Sequence, residues 1–107
     1  MSTIKYNKLV RDRIPEIIDA SGKKCMCSTL SDEEYLAMLD AKLNEELAEY
    51  QESKSMEELA DLLEIIRAVA VARGSSIEEV EVIRRDKAAK RGGFEKKRLL
   101  TEVITED

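Results

Sequence analysis

Three serines, Ser31, Ser55 and Ser76, each stand three residues ahead of a glutamate: Glu34, Glu58 and Glu79. A serine hydroxyl can take the third backbone N–H of a helix while the glutamate returns to the serine, so S-x-x-E marks a helix start. Three such starts within 46 residues leave room for little besides helices. The intervals carry one glycine, Gly74, placed to close the second helix as a left-handed cap. The spacing predicts long helices over Asp32 to Ser53, Met56 to Arg73 and Ile77 to Lys90, the last stopped by Gly92-Gly93. Ahead of them, Pro15 in a first turn with Asp12 as cap predicts a short helix over Pro15–Ala20, ended by Ser21-Gly22. Lys23–Leu30 and Phe94 to Thr105 read as extended segments, the second as a short edge strand or a tail over the core. The fold class is therefore all-α: a helical bundle of about three long helices plus a short N-terminal helix, with short extended terminal segments.

Helical phase, at about 100° per residue, gives each helix its faces. Leu36, Leu39, Leu43, Leu47 and Tyr50 share a stripe on the first long helix. On the second, Leu59, Leu62, Leu63, Ile66, Val69 and Ala70 form the main apolar face, and Ile65, Ala68 and Ala72 a second strip. A helix apolar on two sides needs more than one partner, which predicts a homo-oligomer. At 107 residues and 4% aromatics, the chain suits one domain, 1–107, with an aliphatic core. No apolar run reaches the ~18 residues of a membrane span and no signal-peptide pattern is present, so a cytoplasmic protein with no membrane partner is expected. Cys25 and Cys27, one residue apart, match neither a C-x-x-C redox pair nor half of a zinc site, and read as incidental reduced thiols.

Charge is divided along the chain. From Ser31 to Glu64 there are twelve acidic and two basic residues; from Arg84 to Arg98, eight basic and two acidic. A nucleic-acid polymer would ask for an unbroken basic face, so none is expected as partner. The acidic half holds two clusters, E-E-x-x-E at Glu45, Glu46 and Glu49, and E-x-x-D at Glu58 and Asp61. Residues three apart lie on one side of a helix, and two antiparallel helices would bring four carboxylates together. Oxygen-only donors favour Mg²⁺, Mn²⁺ or Ca²⁺ over zinc or copper. The plainer reading stands beside this one: acidic helix faces are usually solvated, and Glu58 has the position of a capping-box residue reaching back to Ser55. Phase places Glu46 at the edge of the apolar stripe and Asp61 in line with a buried strip, where a carboxylate is costly unless paired or bound. In the basic half, Lys87, Lys90 and Arg91 complement a helix C-terminus without any ligand; Gly92-Gly93 would let a backbone approach one.

Four segments carry a family resemblance: K-L-V-R-D-R-I-P-E-I-I at 8–18, E-E-x-x-E at 45–49, E-L-A-D at 58–61 and K-R-G-G-F at 90–94. In this order they resemble the MazG-like, all-α nucleoside triphosphate pyrophosphohydrolases, most closely the small single-domain members labelled phosphoribosyl-ATP pyrophosphohydrolase-like. The resemblance implies a homodimer or homotetramer and Mg²⁺-dependent cleavage (Mn²⁺ as a substitute) of a nucleotide polyphosphate between its α and β phosphates. It implies metal ligands at Glu46, Glu49, Glu58 and Asp61, with Glu45 orienting water and Glu45 or Glu49 accepting its proton. Lys8, Arg11, Lys87, Lys90 and Arg91 are the candidates to hold the β and γ phosphates. Only eight residues separate Glu49 from Glu58, fewer than in many of these enzymes. The alternatives are phosphoribosyl-ATP hydrolysis in histidine biosynthesis and a non-catalytic helical oligomer that binds a metal or nucleotide.

Overall fold

The computed structural model describes residues 2–106. It holds four helices: α1 (Ile14–Ala20), α2 (Asp32–Ser53), α3 (Met56–Ala72) and α4 (Ile77–Arg91), with no strand among the described residues. The chain divides into two compact units, Met1–Ile77 and Glu78–Asp107.

In the first unit α2 and α3 fold back on one another as a hairpin. Its bend is two residues long. Lys54 ends α2 in the left-handed conformation (φ 56°), its N–H donating to the Tyr50 carbonyl, and Ser55 begins α3 with its hydroxyl accepting from Glu58 N. At the far end, the Arg73 guanidinium donates to Asp40 at 2.9 Å and ties the two helices again. Next to the Asp40–Arg73 fastening, Leu39 is 1% exposed, and Ala70 is also buried. Burying a leucine side chain of this kind contributes about 1.5–3 kcal/mol. The apolar face of α3 is only half used: Met56, Leu59, Leu63 and Val71 keep an exposed flank, and Leu47 does so on α2.

The Ser31 cap closes in both directions, hydroxyl to Glu34 N–H and Glu34 carboxylate to Ser31 N–H. At α1 the expected Asp12 cap is replaced: Arg13 occupies the cap position without a side-chain capping bond, and Pro15 still stands in the first turn. Gly74, at φ 85°, follows α3 as expected. Lys23–Leu30 is irregular. Cys25 is half-buried against α1, its thiol 3.9 Å from the Pro15 carbonyl, and Cys27 is exposed; both are free.

The second unit is α4 followed by irregular chain. The helix carries acidic Glu78 and Glu79 in its first turn and Lys90 and Arg91 in its last, the arrangement its dipole favours. Arg84 donates to Glu81 at 2.9 Å, which holds that carboxyl below its usual range. Gly92, at φ 84°, ends the helix. The tail forms no strand, and Phe94, Leu99, Leu100, Val103 and Ile104 are exposed. Alternation alone makes no strand without a second strand to take its N–H and C=O groups. No helix among the described residues is long and apolar enough to cross a membrane.

Candidate metal centre

The hairpin brings five carboxylates together. Oxygens of Glu45, Glu46 and Glu49 lie within 4.8 Å of one another, and so do oxygens of Glu46, Glu58 and Asp61. Glu46 belongs to both groups. The first three come from two successive turns of α2 just before the bend, the other two from the first turns of α3 just after it.

Burial is uneven across the group. Glu46 is 7% exposed, Glu58 and Asp61 are half-buried, and Glu45 and Glu49 are exposed. Glu46 Oε2 and Glu58 Oε2 are shut off from solvent with no hydrogen-bond partner. An unpaired polar atom in that position costs about 1–3 kcal/mol, and more when charged. Burial above all, then the neighbouring Glu49 and Asp61, pushes the Glu46 carboxyl above its usual range, with Lys42 pulling the other way. Glu58 does not act as the return arm expected of it: Ser55 caps its N–H, while its own Oε2 stays orphaned. The solvated-face reading thus fits Glu45 and Glu49 and fails for Glu46 and Glu58.

Two cations already stand in the cluster. The ammonium of Lys42, whose side chain is only 17% exposed, lies 3.5 Å from both Glu45 Oε1 and Glu46 Oε1. Lys42 was not among the sequence candidates, although its i, i+3 and i, i+4 spacing to these glutamates is a legible signal. The Arg11 guanidinium donates to Asp61 Oδ1 at 2.7 Å. Asp61 is therefore not the buried, uncompensated acid its phase suggests; its side chain is 43% exposed and paired.

Of the other expected phosphate ligands, Lys8 sits 5.5 Å from the centroid of the Tyr6 ring. Lys87, Lys90 and Arg91 belong to the second unit, all exposed, with Lys90 paired to Asp86 at 3.2 Å. Burial pushes the Cys25 thiol up from its ordinary value, the opposite of what an activated thiolate needs.

The donor set fits a hard divalent cation. It is all oxygen, it is anionic, and two of its oxygens are buried without partners, so an ion there would remove the cost of leaving them bare.

An uncharacterized protein of Mycolicibacterium smegmatis (strain ATCC 700084 / mc(2)155) is 67% identical to this chain over 42 residues. The match covers 39% of this chain and 43% of that protein, less than half the length of either. No family model matches the chain, and no solved structure matches it.

Proposed function

We propose that the chain is a Mg²⁺-dependent nucleotide pyrophosphohydrolase. It would cleave an NTP or dNTP between the α and β phosphates, releasing monophosphate and pyrophosphate, as enzymes that clean the nucleotide pool do. The observation that carries the proposal is the pair of orphaned oxygens, Glu46 Oε2 and Glu58 Oε2, in two carboxylate trios that share Glu46. The MazG-like order of its four motifs supports the same reading.

Glu46, Glu49, Glu58 and Asp61 would hold the ion. When bound, it supplies charge to phosphate oxygens and lowers the pKa of an attacking water. Glu45, held by Lys42 at 3.5 Å, would orient that water, and Glu45 or Glu49 would accept its proton. Phosphoryl transfer asks the protein mainly for positioning and charge; Arg11 and Lys8 are cations of the same unit that can meet the phosphates. Lys87, Lys90 and Arg91 carry no part of this assignment. A homodimer or pair of dimers belongs to the proposal, supported by the exposed apolar flank of Met56, Leu59, Leu63 and Val71. The two free thiols agree with a reducing, cytoplasmic setting.

The test is a Mg²⁺-supplemented screen of NTPs, dNTPs and phosphoribosyl-ATP, reading pyrophosphate against orthophosphate. Pyrophosphate release is expected, abolished in Asp61→Asn while the helical circular dichroism is kept. Release from phosphoribosyl-ATP alone would move the substrate to histidine biosynthesis. Metal binding with no product from any nucleotide would make the chain a regulator instead.

A further inference from the structure

Arg11 reaches across fifty residues of sequence to Asp61, and its guanidinium is bonded at 2.7 Å to a carboxylate of the acidic cluster. Its own setting is loose. Residues 2–11 form neither helix nor strand, and the arginine side chain is 59% exposed. The other cation of the cluster is different in kind: Lys42 projects from the middle of α2, is mostly buried, and holds Glu45 and Glu46 from its own helix. One of the two charges is built in, and the other hangs on a stretch of irregular chain.

The cluster has a place for a stronger cation. Glu46 is more than nine-tenths buried, with Oε2 lacking any partner, and its carboxylate lies with those of Glu58 and Asp61 within 4.8 Å. A divalent ion bound to that trio would sit about 2.0–2.6 Å from its oxygens. Arg11, at hydrogen-bond distance from the Asp61 carboxylate, would then stand within a few ångströms of a doubly charged ion. Like charges that close repel, and the half-exposed setting of the pair screens but does not remove the repulsion. Lys42, mostly buried, has little room to swing aside, whereas the Arg11 side chain is 59% exposed and its backbone is irregular.

We propose that the Arg11 side chain and a divalent cation are alternative occupants of Asp61. The arginine holds the arm down while the site is empty of metal, and cation binding releases the arm. This rests on the metal-site reading above and adds to it a movable competitor that sets the threshold for ion loading. It also gives Arg11 two positions: docked on a carboxylate, and free to meet an anion once the carboxylate is taken. Monovalent ions, with half the charge, would not displace it.

The experiment is hydrogen–deuterium exchange on the full chain, with and without Mn²⁺ and against KCl at matched ionic strength, alongside Mn²⁺ titration calorimetry of wild type, Arg11→Gln and Arg11→Lys. On Mn²⁺ addition, amides in α2 and α3 around the bend should slow while the Ile14 amide, bonded to the Arg11 carbonyl at 3.1 Å, exchanges faster; KCl should do neither. Arg11→Gln should bind Mn²⁺ about two- to fivefold more tightly, the range a half-exposed ion pair commands, with Arg11→Lys closer to wild type. Slowing of α2 and α3 with an unchanged or slower Ile14 amide, or weaker binding by Arg11→Gln, overturns the displacement and leaves the metal site standing. No Mn²⁺-dependent slowing of α2 and α3 overturns both.

Discussion

Glu46 holds its carboxylate where the fold gives it least water, and two consequences follow for substitution there. Ionised Glu46 opposes folding in the absence of a divalent cation, because burial raises its carboxyl above the unfolded value. The stability tied to its proton is fully present below the unfolded pKa and is lost as pH rises through the raised folded one. Glu46→Gln should therefore melt higher than wild type in metal-free buffer at neutral pH, by about 1 kcal/mol. It should also lose the Mg²⁺-dependent rise in midpoint that specific binding confers. Paired thermal melts with Mg²⁺ and with chelator read both effects; a variant that melts lower without metal would contradict the burial argument. Much of this residue-level picture was present in the spacing, but its emphasis differs. Glu46 lies seven residues after Leu39, which returns it to within about 20° of the most buried side chain; weighting the stripe by Leu36 and Leu47 moved its centre aside and left Glu46 at the edge. Asp61 is relieved by Arg11, and a partner fifty residues away in an aperiodic arm leaves no trace in helical phase.

The helices were legible because their ends are written in side chains. Ser31, Ser55 and Gly74 mark boundaries that the structure keeps to within a residue. Where the boundary is not written, at Arg13 or in the tail after Gly92, local reading offered a cap and a strand that tertiary surroundings do not supply. The strongest cap gives an element-scale test. Removing the Ser31 hydroxyl should cost about 1 kcal/mol, measured by chemical denaturation of Ser31→Ala. Ser31 also holds Glu34 below its usual carboxyl range, through its hydroxyl first and its N–H second. That contribution exists above the unfolded pKa and disappears as pH falls through the depressed folded one. Wild type should accordingly lose stability on acidification in this window, with Ser31→Ala losing less; parallel slopes would exclude the box as the cause.

For the molecule as a whole, apolar surface is the unspent quantity. Leu63 is 57% exposed and Met56 70%, next to Leu59 and Val71 on one side of α3. Exposed apolar side chains gathered on one side of a helix are what the proposed self-association would cover. Under the proposed self-association, Leu63→Glu should shift the chain to monomer in light scattering coupled to size exclusion, with little loss of helix. An unchanged mass would show that the contact lies elsewhere. The sequence places the demand for another partner on the second strip of Ile65, Ala68 and Ala72, which are half-buried; the exposed residues are instead Leu59 and Leu63 of the main face, with Met56 and Val71, since a single chain's periodicity records that a face is greasy and not what meets it.

The two-residue link at Lys54-Ser55 has an effect on how such a site tolerates mutation. With so short a tether, the acidic rows before and after it cannot slide past one another, and the backbone itself serves as the yardstick for the gap an ion would fill. Damage elsewhere in the hairpin should then lower how many molecules are folded while those that fold grip their ion as before. A residue inserted beside Lys54 should do the reverse, sparing the yield and ruining the grip.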